Sequence, residues 1–194
     1  GMVYASLEMS PVQGGAVRSF DASKAKAMPG VVDVVQIPDG IAVVAGGYEP
    51  NGEESPYNTV VAMDATGAIV ASYRKIHLYD AFSFKESSRI TAGPADQRIT
   101  FELGGLRFGL MTCYDIRFPE LARDLALEGA DALLIGAAWY KGEHKISHWN
   151  TLLKARAVEN TVWVAAAGTA GERTIGYSAI LDPMAQAVEY LGDE

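Results

Sequence analysis

Two continuous apolar segments with a helical pattern between them constrain the fold of this chain more than any other feature of its sequence. Ala132–Ala138 and Val162–Ala167 are apolar throughout, as is typical of strands that are buried on both faces of a sheet. Ser147–Glu159 carries apolar residues at helical spacing. Upstream, the strand Leu106–Thr112 precedes a helix predicted from Pro119 to Glu128. Strands that alternate with helices predict an α/β fold in which helices cover a sheet.

Shorter strand-like segments come in pairs around turn sequences. The predicted hairpins are Thr59–Met63 with Ala68–Tyr73, Ile99–Leu103 with Leu106–Thr112, and Tyr177–Leu181 with Ala187–Leu191. The first 45 residues predict a small α+β unit, with a strand at Val3–Leu7 and a helix at Ala22–Met28. In the same unit, Val31–Ile37 and Ile41–Ala45 are β-branched segments separated by a Pro-Asp-Gly turn.

The charge balance and the single cysteine limit the kinds of protein to which this chain can belong. The formal charge is -8, and Lys and Arg form no cluster, which argues against binding to nucleic acid or to an anionic membrane. The chain shows no apolar stretch of membrane-spanning length and no signal-peptide pattern. Cys113 is the only cysteine, so an internal disulfide is excluded and a reducing compartment is indicated. These features predict a cytoplasmic protein.

Cys113 is a candidate nucleophile because of its place in the predicted fold. It follows the strand Leu106–Thr112 and precedes a helix that begins near Pro119. Free backbone N–H groups and the positive end of a helix dipole at such a junction favour the thiolate and predict a lowered thiol pKa. A buried structural cysteine is the alternative, and for a lone cysteine it is the commoner one. The polar residues at 114–117 favour a functional thiol, since a core position would not need them.

Three further residues are candidates, each with an alternative interpretation. Lys75 ends a predicted strand, where its ammonium could stabilise a thiolate and a substrate oxyanion; a charged strand end at the surface fits equally well. Glu86 lies in a predicted loop, where most glutamates are solvated. Trp139 follows a predicted strand together with Tyr140 and could line the mouth of a pocket or pack at its rim. The histidines lack metal-ligand spacing and no phosphate-binding loop occurs, so no metal and no cofactor are predicted.

From about Val43 onward, the order of these signals resembles the nitrilase, or carbon–nitrogen hydrolase, superfamily. The segments that carry the resemblance are residues 44–49, 57–59, 73–80, 84–87, 112–120, 129–131, 148–160, 176–178 and 182–183. The most specific of them are the segments around Lys75 and Cys113. The resemblance covers about three quarters of the chain.

The resemblance implies hydrolysis of a small amide or carbamoyl C–N bond through a thioester on the cysteine. Cys113 matches the family nucleophile, and Lys75 matches the lysine that stabilises the tetrahedral intermediate. Glu86 matches a glutamate that positions substrate and lysine in amidase-like members, and the backbone N–H of Tyr114 would complete the oxyanion hole. The implied fold is an α-β-β-α sandwich that pairs into a homo-oligomer, and the implied partner is a small-molecule amide.

The first 45 residues depart from the family pattern. The family's general base is a glutamate in a Phe-Pro-Glu phrase, and this region contains only Ile37-Pro38-Asp39, onto which the role is not carried. Residues 2–45 instead resemble the hammerhead segment of molybdenum hydroxylase large subunits, which implies a fold fragment and no oxidoreductase activity. The expected organisation is therefore a small α+β segment over 1–45 and an incomplete nitrilase-like core over 46–194, truncated at both ends. A natural fusion or an engineered chimera would account for it.

Three hypotheses follow. The first is an amidase-like hydrolase that is impaired because its general base is not found. The second is a catalytically crippled hybrid that acts only as a binding or assembly module. The third, a molybdenum hydroxylase fragment, rests on the minor part of the chain.

Overall fold

The first strands among the described residues form a four-stranded antiparallel sheet in chain order. The computed structural model describes residues 31–37, 40–52, 54–64 and 67–192, and of residues 31–43 the backbone alone. Its strands are β1 (Val31–Ile37), β2 (Gly40–Glu49), β3 (Tyr57–Met63) and β4 (Ile69–Arg74). The pairing of β3 with β4 confirms that hairpin prediction. The predicted strand Val3–Leu7 and helix Ala22–Met28 lie outside the described residues.

The expected boundary between residues 45 and 46 falls inside β2. The register with β3 is uninterrupted there, since Ala45 pairs with Val61 and Gly46 with Val60. Residues on both sides of the boundary therefore belong to one sheet, and the division into two domains stays a prediction.

Two short strands, β5 (Asp80–Ala81) and β6 (Phe84–Lys85), follow β4 along the chain. The second sheet consists of six strands, which are β7 (Thr100–Leu103), β8 (Leu106–Thr112), β9 (Ala132–Ala137), β10 (Trp163–Gly168), β11 (Ala179–Leu181) and β12 (Ala187–Tyr190). Their order across the sheet is β12-β11-β10-β9-β8-β7. The central three strands are parallel and the outer pairs antiparallel. Parallel neighbours need a crossover, and here α1 (Pro119–Leu127) joins β8 to β9 while α2 (Lys145–Asn160) joins β9 to β10.

One buried cluster unites the two sheets and the two helices. It includes Val60 and Tyr73 from the first sheet, Leu110 from the second, and Leu125 from α1. Helix α1 comes close to β8 at Gly109, where an added Cβ would lie 3.1 Å from the Leu125 Cβ. The mixed α/β fold is confirmed, and the described residues form helix, sheet and sheet layers. In the described part of the chain, neither helix is long and apolar enough to cross a membrane.

A short hairpin between the two sheets was not predicted from the sequence. It consists of β5 (Asp80–Ala81) and β6 (Phe84–Lys85), and a 3₁₀ turn, Glu86–Ser88, follows it directly. Both residues at its tip are left-handed, with φ of 51° at Phe82 and 64° at Ser83. Such φ values match a two-residue hairpin turn, and that turn normally contains glycine or asparagine. Because Phe82 and Ser83 are neither, the sequence does not indicate the turn.

Candidate active site

Cys113 occupies a strained position at the end of β8. It is the first residue of a 3₁₀ turn, Cys113–Arg117, and its φ of 49° is left-handed. Such a conformation costs a non-glycine residue about 1–3 kcal/mol and persists only where the surroundings enforce it. The strand and the helix that begins at Pro119 lie as predicted, but the 3₁₀ turn separates the thiol from the N-terminus of the α-helix.

The Asp115 carboxylate enforces this turn from a fully buried position. Its Oδ2 accepts hydrogen bonds from the Tyr73 hydroxyl at 2.7 Å and the Thr112 backbone N–H at 2.9 Å. Its Oδ1 accepts one from the His77 backbone N–H at 3.1 Å and lies 2.8 Å from His77 Nδ1. Burial and the charge of Asp115 raise the pKa of Tyr73, so its hydroxyl remains a donor. Asp115 thus fixes the cysteine turn to β4 and to the residues that follow it.

Sequence reasoning treated Asp115 only as a polar neighbour of the cysteine. The signal that could have identified it is the Thr-x-x-Asp spacing from Thr112 to Asp115, which is typical of a capping box at the start of a helical turn. The bonds to Tyr73 and His77 join residues about forty positions apart, and no local pattern predicts those.

The structure brings Lys75 and Glu86 together as a buried ion pair. Lys75 follows β4, its side chain is 2% exposed, and its Nζ lies 2.6 Å from Glu86 Oε2. The same oxygen accepts a hydrogen bond from the Tyr79 backbone N–H at 2.6 Å. Glu86 is therefore held by the β5–β6 hairpin and is not a solvated loop residue. A buried ion pair of this kind fixes the direction of both side chains.

Gly93 allows the chain to close over the backbone of Lys75. Its N–H donates to the Lys75 carbonyl at 2.8 Å. A Cβ at this position would overlap the carbonyl oxygen of Arg74, so no larger residue fits without displacing the end of β4. This close approach holds the backbone of Lys75 in place.

The pKa of the Cys113 thiol is raised, whereas the sequence predicted a lowered pKa. Burial raises the pKa of Cys113, and the charge of Lys75 acts against it. The carboxylates of Glu86 and Asp115 raise the pKa further, while the backbone N–H of Tyr114 lowers it. The expectation was wrong because it placed the thiol at an α-helix dipole and ignored the cost of burying a thiolate. The charges of Lys75 and Glu86 and the backbone N–H of Tyr114 nevertheless all change the pKa of the thiol.

The raised pKa predicts slow alkylation of Cys113 at neutral pH. The rate with iodoacetamide should increase with pH to a midpoint above the value of about 8.5 for a free cysteine, because only the thiolate reacts. Lys75→Met should move the midpoint upward and Glu86→Gln downward. Intact mass measured over time at each pH gives the rates, with N-acetylcysteine as the reference compound. A midpoint below about 8.5 would contradict the prediction.

Tyr114 and Trp139 differ in their relation to the thiol. The Tyr114 ring packs edge-on against Tyr79, with ring centroids 5.0 Å apart, while its backbone N–H acts on the sulfur. Trp139 is 3% exposed, and its indole N–H donates to the Lys145 carbonyl at 3.0 Å. Because that donor is engaged, Trp139 can contact a substrate only through its ring.

A second buried cation, Lys145, was not singled out in the sequence. It is the first residue of α2 and is 8% exposed. Its Nζ donates to the Tyr79 hydroxyl at 3.0 Å and lies 4.9, 4.4 and 5.5 Å from the ring centroids of Tyr79, Phe82 and Trp139. The hydrogen bond to Tyr79 joins residues 66 positions apart along the chain, so the local sequence does not predict this contact.

The chain matches a known family over most of its length. The model of the carbon–nitrogen hydrolase family matches residues 38–194. A deaminated glutathione amidase of Escherichia coli O157:H7 is 48% identical over 136 residues, which is 70% of this chain and 51% of that protein. A 2-oxoglutaramate amidase of Bacillus subtilis is 36% identical over 159 residues, or 80% of this chain and 59% of that protein. The chain thus spans between half and three fifths of the length of these relatives.

Solved structures show the same likeness. An amidase of the nitrilase superfamily from Nesterenkonia AN1 superimposes with a TM-score of 0.72 and 32% identity over 80% of this chain and 59% of that one. A variant of the same amidase shows covalent addition of the acetamide moiety of fluoroacetamide at its active-site cysteine, and it superimposes with a TM-score of 0.71.

Proposed function

The chain belongs to the carbon–nitrogen hydrolase family, and from this membership we propose that it hydrolyses small amide or carbamoyl C–N bonds through a thioester on Cys113. The observation that carries the proposal is the buried Lys75–Glu86 ion pair, with 2.6 Å between Nζ and Oε2, at the strand end that Asp115 ties to the turn of Cys113; the charge of Lys75 and the backbone N–H of Tyr114 both lower the pKa of the thiol. A cation and an amide donor beside a nucleophile are what a developing oxyanion needs. The amidase names of the relatives support the same reaction class.

In the proposed reaction the Cys113 sulfur attacks the amide carbonyl carbon and forms a C–S bond. Lys75 and the Tyr114 N–H stabilise the negative charge that moves onto the carbonyl oxygen. Cleavage of the C–N bond releases ammonia or an amine, which takes up the proton lost by the thiol. Water then attacks the thioester, and the carboxylic acid leaves as the thiol is restored.

Glu86 has the positioning role in this proposal. Its Oε2 is shared by Lys75 and the Tyr79 N–H, so the carboxylate holds the ammonium in one direction. Both oxygens of Asp115 are occupied by donors of the protein, so of the two carboxylates that act on the thiol, Glu86 is the better placed to contact substrate. Trp139 stays a predicted substrate contact through its ring.

Impaired catalysis, or a hybrid that serves only as a binding or assembly module, is the second candidate function. The raised pKa of Cys113 favours it, because a neutral thiol needs a base to become a nucleophile. The glutamate that the family uses was not found in residues 1–45, and loss of a general base costs on the order of 10² to 10⁴ in rate. A fusion at the expected boundary near residue 45 belongs to this proposal.

The setting of the reaction is also proposed. A free thiol as nucleophile fits a reducing compartment, so we place the protein in the cytoplasm. A small-molecule amide is its partner, and the chain assembles as a homo-oligomer, as its family resemblance implies.

Mass spectrometry of the protein during exposure to a series of small amides tests the proposal. We expect ammonia release together with a transient mass increase of one acyl group on the peptide that contains Cys113. Protein alkylated beforehand with iodoacetamide is the control, since Cys113 is the only cysteine. An adduct that persists without turnover would support the impaired hybrid, and absence of both ammonia and adduct would contradict the proposal.

A further inference from the structure

A single residue, Tyr79, connects Lys145 to the proposed amidase site. The backbone N–H of Tyr79 binds the Glu86 carboxylate, and the hydroxyl at the other end of the same residue binds Lys145 Nζ. The Tyr79 ring also packs on Tyr114, whose N–H acts on the Cys113 sulfur. Tyr79 therefore connects the Lys145 ammonium both to the Glu86 carboxylate and to the residue that follows Cys113.

The ammonium of Lys145 lacks an anionic partner. Among the described residues, no carboxylate lies within salt-bridge distance of it. An ammonium carries three donors, and the Tyr79 hydroxyl takes one of them. The rings of Phe82 and Trp139 attract the charge but offer no oxygen acceptor. Burial of a charge with so few acceptors is costly, which indicates that this position is kept for an anion.

The positive charge of Lys145 does not serve to stabilise helix α2. Lys145 is the first residue of a 16-residue helix, where the helix dipole disfavours positive charge. A second cation, Arg117, lies over the same Trp139 ring with its guanidinium carbon 5.1 Å from the centroid. Its described polar contact is His148 Nδ1 at 3.3 Å. Two cations therefore lie beside one ring, at the N-terminus of a helix.

The β5–β6 hairpin covers this region with an exposed side chain. Phe82, at the tip, is 69% exposed although its ring centroid lies 4.4 Å from the Lys145 ammonium. Its left-handed φ adds strain, and strained turns of this kind occur at ligand clamps. The hairpin is thus placed to close over a ligand bound to Lys145.

We propose that Lys145 binds the free carboxylate of the substrate, so that the site prefers amides that carry a carboxylate over neutral amides. This inference rests on the proposed amidase function. One ammonium–carboxylate contact is worth about 1.5–3 kcal/mol, which corresponds to a preference of roughly 10- to 100-fold.

The test compares glutaramate with pentanamide, which has a methyl group in place of the carboxylate. In the parent protein we expect kcat/KM to be roughly 10- to 100-fold higher for glutaramate. Lys145→Met should bring the ratio close to one by lowering glutaramate hydrolysis alone, and Lys145→Arg should keep most of the preference. Lys154→Met, an exposed lysine of α2, is the matched control and should leave both rates unchanged.

Binding separates this inference from the proposed function. Calorimetry with glutaramate in a Cys113→Ala background, with and without Lys145→Met, measures the carboxylate contact without turnover. Lys145-dependent binding in a protein that releases no ammonia would uphold the carboxylate site and contradict the amidase. A ratio unchanged in Lys145→Met, an equal loss for both amides, or binding that does not depend on Lys145 would overturn the inference.

Discussion

Cys113→Ala should abolish ammonia release from every amide that the parent protein hydrolyses, because no other cysteine can form the thioester. The structure gives the substitution little else to disturb, since the β8 end and the 3₁₀ turn are held by Asp115. The left-handed φ of residue 113 is no easier for Ala than for Cys, so stability should change little. Ammonia assays and thermal unfolding on the same samples check both statements. Turnover equal to that of the parent would refute the assignment of the nucleophile.

Lys75→Met is the companion variant and should lower the rate by on the order of 10² to 10³, as is typical when one oxyanion-stabilising group is removed. It also leaves the Glu86 carboxylate without its buried partner, which costs about 3–5 kcal/mol of stability. The double variant Lys75→Met with Glu86→Gln removes both charges, and we expect it to regain stability while remaining slow. Lys154→Met controls for the loss of a lysine at the surface. A double variant with the parent rate would exclude the role of Lys75.

Asp115→Ala should destabilise the protein strongly. It leaves the buried Tyr73 hydroxyl and Thr112 N–H without an acceptor, and each such group costs about 1–3 kcal/mol. We therefore expect a loss of about 2–6 kcal/mol in the free energy of unfolding, together with altered alkylation of Cys113 as the turn relaxes.

Chemical denaturation measures this loss, and two variants calibrate it. Tyr73→Phe removes one donor to the same carboxylate and should cost about 1 kcal/mol. Asp131→Asn changes an exposed carboxylate that accepts from the Arg107 N–H and should change stability by less than Tyr73→Phe. Equal stability of Asp115→Ala and Asp131→Asn would show that the hydrogen bonds of Asp115 do not hold the turn.

The sequence predicted the elements that repeat a pattern over many residues. The parallel strands, both helices and the hairpin of β11 with β12 lie within two residues of their predicted bounds, because apolar periodicity reports directly on burial. The β5–β6 hairpin escaped because strands of two residues have no periodicity. The left-handed φ values of Phe82 and Cys113 escaped because tertiary contacts, not residue type, impose them.

The sequence also predicted part of the candidate site. Cys113, Lys75 and Glu86 were named because their local segments resemble a family, and the structure brings Lys75 and Glu86 into contact. Their electrostatic effect on Cys113 follows from three-dimensional burial, so even its direction was mispredicted. Asp115 and Lys145 depend on partners that are distant along the chain, and a single sequence carries no record of such pairs.

The four contacts of Asp115 also bear on when the site forms during folding. Thr112 adjoins the turn, but Tyr73 and His77 lie on and after the last strand of the other sheet. Contacts between segments so far apart along the chain form late, since the intervening loop must first be closed. A partly folded molecule with only the six-stranded sheet would carry an unconstrained cysteine with ordinary reactivity. The reactivity of the Cys113 thiol should therefore show whether the two sheets have packed against each other.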